Sequence, residues 1–169
     1  FSARLEVLVS RKIGHPLNPE VAIGAVMPDG SAVLDNGLIR AIGLAADRLA
    51  AMIQAEYGEI RRRLQEFTGD SGLSPVDGKQ AIIVDDGIAT GYTIRAAATW
   101  LKKQKPARII VAVPVAPSDV VEQLAGEVDE VICLEQPYDF MAVGMYYRDF
   151  AQVTDGEVLK TLREINKVC

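Results

Sequence analysis

Two adjacent carboxylates, Asp85 and Asp86, follow an apolar run and stand a few residues ahead of Thr90-Gly91-Tyr92-Thr93. The whole stretch from Ala81 to Arg95 reads AIIVDDGIATGYTIR. Its pattern predicts an apolar strand, an acidic pair at the strand's carboxyl end, a turn of small residues and the start of a helix. Such a turn offers the backbone N–H groups from Ala89 to Thr93 to a tetrahedral anion, and the helix dipole favours negative charge there. The hydroxyls of Thr90 and Thr93 add donors, and Gly91 lets the backbone approach without a Cβ. Asp85 and Asp86 repel phosphate, so beside an anion site they suit vicinal hydroxyls, or a metal ion carried by the same ligand. A sugar phosphate satisfies both halves. The stretch is not a Walker-type loop, because no Gly-Lys-Ser/Thr closes it.

Other chemistry-bearing types are sparse. Cys133 and Cys169 form no CxxC, and His15 is the only histidine, so no structural metal site is expected. The cysteine usage is that of a reducing cytoplasm. A second cluster of interest is Arg11-Lys12, directly after the apolar segment Arg4 to Ser10.

The elements that must position these residues can be read from pattern. Arg4 to Ser10 predicts a strand, and Gly14 to Glu20, with Pro16, Asn18 and Pro19, predicts a mobile loop. His15 in that loop could approach a bound ligand or simply face solvent. Ala22 to Val26 and Ser31 to Leu34 flank Pro28-Asp29-Gly30 and predict a hairpin. Asn36 can cap the helical stretch that comes next. From Leu38 to Phe67 apolar residues recur at helical spacing, as one long helix or as two with a break near Gly43. After a loop from Gly69 to Gly78, strands are expected at Gln80–Val84, Arg108–Val113 and Glu130–Leu134, with helices at Gly91–Lys103 and Ser118–Leu124 between them. This alternation means parallel pairing, and a doubly wound, mostly parallel α/β sheet flanked by helices places its ligand at the carboxyl ends of its strands. Thr154 to Glu157 has capping-box form and opens a last helix to about Lys167.

The 169 residues, 49% hydrophobic and 24% charged, suffice for one domain with a real core. A net charge of −5 argues against nucleic acid as the main partner. The apolar run from Ala107 to Ala116, interrupted by Arg108 and Pro114, falls short of the roughly 20 residues that span a bilayer.

The stretch Ala81 to Thr93 resembles the phosphoribosyl diphosphate (PRPP) motif of the type I phosphoribosyltransferases: four apolar residues, two acidic ones, small or apolar ones, then Thr-Gly-x-Thr. Gly87 stands where these enzymes more often carry a bulkier apolar residue. The resemblance implies that Asp85 and Asp86 contact the ribose 2- and 3-hydroxyls together with Mg2+, and that Ala89, Thr90, Gly91, Tyr92 and Thr93 hold the 5-phosphate. Arg11-Lys12 is similar to the Arg-Lys pair ahead of the flexible catalytic loop in orotate and adenine phosphoribosyltransferases, which makes Arg11 and Lys12, with the acidic pair, the catalytic candidates. Two cations suit a pyrophosphate leaving group.

Across most of the chain, RKIGHPLNPEVAIGAV, VDDGIATG, AVPVAPSD and YDFMAVGMYYRDF resemble bacterial phosphoribosyltransferase-domain proteins of unassigned substrate. Residues 135–153 are similar to a C-terminal hood over the acceptor base, with Phe140 and Val143 as the acceptor pocket; Phe140, Tyr146, Tyr147 and Phe150 read equally well as core or dimer contacts. Ala89 replaces the Asp that serves a 6-oxopurine in hypoxanthine-guanine enzymes, which points away from that acceptor. The family begins with a strand and a pyrophosphate loop ahead of Arg4 to Ser10, so residues 1–169 are expected to form one domain lacking that unit. The implied activity is phosphoribosyl transfer from PRPP to a nitrogenous base or amine, in a cytoplasmic homodimer of nucleotide metabolism. The same fold also serves PRPP- or nucleotide-sensing regulators and degenerate domains of larger proteins.

Overall fold

A computed structural model describes residues 3–68 and 73–166. Part of the expected Gly69–Gly78 loop, and Lys167, where the last helix was expected to end, lie outside them.

The chain is α/β and carries two three-stranded sheets. The first is antiparallel, in the order β1 (Arg11–His15), β2 (Asn18–Val26), β3 (Ala32–Leu34). The second is parallel, in the order β4 (Gln80–Val84), β5 (Arg108–Val115), β6 (Glu130–Glu135), with Ile83 opposite Val111 and Val113 opposite Cys133. Helix α3 (Tyr92–Lys102) connects β4 to β5, and α4 (Ser118–Ala125) connects β5 to β6. These positions agree with the strand-helix alternation read from the sequence.

Helices α3 and α4 bury one face of the parallel sheet. Ile94, Val120 and Leu124 close over Val111 and Val113, with Leu124 fully buried. Full burial of a side chain of that size contributes about 1.5–3 kcal/mol. On the other face Ile82, Val84, Ile132 and Leu134 are exposed.

The antiparallel sheet has its own core. Helices α1 (Asn36–Ala41) and α2 (Ala46–Thr68) lay Ile39 and Ile60 against Ile13, Ile23 and Val26. The break between them falls at Gly43, whose φ of +62° is left-handed. Asp35, not Asn36, caps α1: its carboxylate accepts the Leu38 amide at 2.8 Å.

Two expectations for the N-terminal region are corrected. Arg4 to Ser10 joins no ladder; among the described residues no strand pairs with it, and a strand without a partner leaves its backbone groups unmet. The basic loop expected from Gly14 to Glu20 is instead the tip of a hairpin formed by β1 and β2. Register shifts at Ile13/Gly14 and Gly14/His15 absorb the irregularity that Pro19 imposes, and Gly14 lies so close to Pro19 that a Cβ would stand 2.9 Å from the Pro19 carbonyl oxygen. His15 helps close the tip, its Nδ1 accepting the Leu17 amide at 3.0 Å.

Helix α3 joins the two halves. Ala96 and Ala97, both buried, pack on Ala25 of the first sheet and on Met27 just beyond β2, while Ala98 and Leu101 pack on Ala81 and Ile109 of the second. Beyond β6 the chain forms a 3-10 turn at Val143–Tyr146, then α5 (Asp155–Ile165), which opens with the expected capping box of Thr154 and Glu157.

Candidate functional site

The parallel sheet delivers the acidic pair directly. β4 ends at Val84, so Asp85 and Asp86 stand at its carboxyl end, Asp85 half-buried and Asp86 exposed. The Asp85 carboxylate accepts the Asp86 amide at 3.0 Å. Burial pushes the Asp85 carboxyl above its ordinary value; the accepted amide opposes this, and the charge of Asp86 adds to it.

The next residues form an open cradle of backbone that leads into α3. The buried Ile88 anchors its start, its amide donating to the Val115 carbonyl at 2.9 Å. Ala89 and Thr90 are exposed, and Gly91 turns the chain with φ +75° as the N-cap of α3. No side chain caps this helix start, so its first amides face outward beside the hydroxyls of Thr90 and Thr93. A Cβ on Gly91 would stand 3.0 Å from Val120 Cγ1, so both its φ and its surroundings exclude larger residues.

Tyr92 holds the helix start from the side. Its hydroxyl donates to Oδ2 of Asp35, the residue that caps α1. Burial first, then this bond, pushes the phenol up to about 12. The Leu38 amide, with Tyr92 second, holds the Asp35 carboxyl below its ordinary value.

The C-terminal segment is keyed to the acidic pair. Tyr147 donates its hydroxyl to the Asp86 carbonyl at 2.6 Å, and Val143 lies where a Cβ on Gly87 would be. Phe140 stacks on Tyr146 with centroids 5.7 Å apart and planes 12° from parallel. Val143 therefore abuts the strand end, and the Phe140–Tyr146 stack stands next to it in the same segment.

Arg11 and Lys12 belong to the other sheet. Both lie on β1 of the antiparallel sheet, and α3 is the element packed on both sheets. Arg11 pairs through Nε with Glu56 of α2 at 2.8 Å, and Lys12, the next strand residue, is exposed on the other face. Nothing local in the sequence marks Glu56 or Asp35, or ties Tyr147 to the acidic pair; the bonds of Asp35 and Tyr147 to the motif span 57 and 61 residues.

No group of three or more His, Cys, Asp or Glu side chains converges among the described residues. The two adjacent carboxylates are oxygen donors of the kind that would suit a hard cation such as Mg2+.

The family described as "Phosphoribosyl transferase domain" matches residues 16–148, which include the acidic pair, the cradle and the Val143 turn. Two Mycobacterium tuberculosis proteins, each named "Putative phosphoribosyl transferase" (MT0597 and Rv0571c), are 42% identical over 162 residues, 96% of this chain. The chain spans 37% of the length of those curated relatives. The crystal structure of TT1426 from Thermus thermophilus superposes with a TM-score of 0.72 at 37% identity, covering 95% of this chain and 76% of that one. With a family match that runs from the hairpin through the cradle to the turn over Gly87, the chain belongs to the phosphoribosyl transferase domain family.

Proposed function

We propose that this domain transfers the 5-phosphoribosyl group of PRPP to a nitrogenous base or amine and releases pyrophosphate. The observation that carries the reading is the placement of Asp85 and Asp86 at the carboxyl end of β4, a few residues ahead of the left-handed Gly91 that opens α3. One half suits ribose hydroxyls and the other a 5-phosphate. In this reading the amides from Ala89 to Thr93, with the hydroxyls of Thr90 and Thr93, hold the phosphate, and Asp85 and Asp86 orient the 2- and 3-hydroxyls. Asp85 and Asp86 would hold Mg2+ on the protein side, and when bound with the donor it would neutralise diphosphate charge.

The acceptor nitrogen bonds to the anomeric carbon as the anomeric carbon–oxygen bond breaks, and pyrophosphate leaves with the electron pair. Charge develops on the ribose as the bond breaks, so the chain's task is orientation and electrostatics. Residues 135–153 would cover the acceptor side, with the stacked Phe140 as a platform and Val143 as a wall. The reading includes a homodimer, supported by the exposed apolar face of Ile82, Val84, Ile132 and Leu134, and light scattering measures it.

One observation favours a second reading, a domain that senses PRPP or a nucleotide without turnover. Arg11 is engaged by Glu56 and Lys12 projects from the other face of β1, so the two cations do not converge on one leaving group. The test supplies PRPP, Mg2+ and a panel of bases and small amines, and records donor binding and pyrophosphate release. Release with one acceptor establishes the transferase; binding without release establishes the sensor; no donor binding overturns both.

A further inference from the structure

At the far end of α3 from the cradle, an open groove of about 650 Å³ runs between the C-terminal half of α2 and the end of α3, with the β2–β3 turn beside it. Tyr57, Arg61, Trp100 and Gln104 line it, together with Leu64 and Pro28. Among the described residues, the Tyr57 hydroxyl, the Arg61 guanidinium, the Trp100 indole N–H and the Gln104 amide make no side-chain hydrogen bond or ion pair. The Tyr57 and Trp100 rings contact no other aromatic ring there.

Four side chains whose polar groups have no protein partner among the described residues therefore line one concavity. The guanidinium and the indole only donate, and the hydroxyl and amide can donate as well, so the groove matches a ligand rich in acceptors. Its charge favours an anion: among the described residues Arg61 has no ion-pair partner, whereas Asp29 on the rim is paired with Lys103 at 2.9 Å. The two aromatic side chains and Leu64 suit a flat ring, and the volume lies within the range of small-molecule sites.

We infer that this groove is a second ligand site for a nucleoside monophosphate, with the base against Trp100 and Tyr57, the amide of Gln104 at the base edge, and the phosphate on Arg61. It is distinct from the cradle that the proposed function uses. The two sites share one rigid element, since Trp100 lies eight residues along α3 from Tyr92, about 12 Å of helix. A nucleotide in the groove thus bears on the helix whose other end forms the cradle.

Trp100 is the sole tryptophan, so its fluorescence reads the groove directly. The experiment titrates this chain with adenosine 5′-monophosphate and follows that emission, with ribose 5-phosphate as the comparison arm that reports on the cradle. Two variants separate the sites: Arg61→Gln, which removes an exposed charge and leaves the packing intact, and Thr90→Glu, which places a negative charge in the cradle. Saturable quenching by the nucleotide that weakens about tenfold in Arg61→Gln and stays within twofold in Thr90→Glu supports the site, about tenfold being the loss of one charge-assisted contact. Absence of quenching overturns it, as does quenching unchanged by Arg61→Gln or abolished by Thr90→Glu. Failure of ribose 5-phosphate to bind the wild-type chain instead counts against the cradle reading and leaves the nucleotide arm to be judged separately.

Discussion

Val143 occupies the space that a side chain on Gly87 would need: a Cβ there would lie 2.7 Å from Val143 Cγ1 and 3.0 Å from Val115 Cγ1. The residue following the acidic pair is thus fitted to the turn that arrives 56 positions later in the chain. Gly87→Ala should push that turn away and cost about 1–3 kcal/mol, the usual range for overpacking. Val143→Ala in the same chain should recover part of the loss, because the two effects share one contact. Urea unfolding of the four proteins measures this; full stability of Gly87→Ala alone would mean that the turn does not rest on the strand end.

The hydroxyl of Tyr147 reaches the Asp86 carbonyl from the same turn. Tyr147→Phe keeps the ring, which packs on Phe150 at 5.1 Å, and removes one hydrogen bond. The expected loss is about 1 kcal/mol of stability, together with weaker PRPP binding in Mg2+. Unaltered binding, measured by calorimetry, would show that the backbone of Asp86 needs no support from the C-terminal segment.

Much of this was legible locally. β4, α3, β5, α4 and β6 lie where the sequence places them, because each apolar run, each break and the Thr-Gly-Tyr-Thr turn are decided within a few residues. The first sheet was harder. Pro19 and Gly14 read as loop formers, yet the bulged register of β1 on β2 accommodates both. Arg4 to Ser10 has the alternation of a strand, but a ladder depends on a partner, which no local pattern supplies. The long-range bonds of Tyr92 and Tyr147 leave no local trace either. Gly87 alone carried a hint, as a small residue where a bulkier one is usual.

Burial disfavours the charged form of Asp85. Its folded-state value is raised above 3.8 by burial, so the unfavourable contribution sets in as pH rises through the unfolded-state value and is complete above the folded-state one. Asp85→Asn should therefore match or exceed wild-type stability at neutral pH, and the difference should vanish on acidification below about pH 3, where the Asp85 carboxyl is protonated in both the folded and the unfolded chain. The same substitution should weaken PRPP binding in Mg2+ buffer. Thermal melts across pH test the first half; a destabilised Asp85→Asn would assign the carboxylate a structural role.

The cradle makes its own demand on Thr90, which is exposed and makes no side-chain hydrogen bond among the described residues. A bulky replacement such as Thr90→Leu should fold as well as wild type and lose the thermal shift that PRPP or ribose 5-phosphate confers. An undiminished shift would move the phosphate away from Ala89–Thr93.

Tyr92 and Asp35 make the link whose pH dependence has two limits. The Asp35 carboxyl is held below 3.8, so the stability it contributes is present above that value and is lost as pH falls through its folded-state value. The Tyr92 phenol is pushed up to about 12 from 10.0, so what it contributes is present below pH 10 and is lost as pH rises toward about 12, once the unfolded chain ionises. Tyr92→Phe removes the bond at every pH. Its melting temperature should fall by a few degrees near neutrality, and that deficit should shrink at both acid and alkaline limits. Because the bond joins α1's cap to the first residue of α3, the same variant should bind ribose 5-phosphate more weakly although every proposed phosphate donor is retained. A pH-independent deficit would deny the hydrogen bond its role, and wild-type phosphate affinity would show that the cradle holds its shape without it.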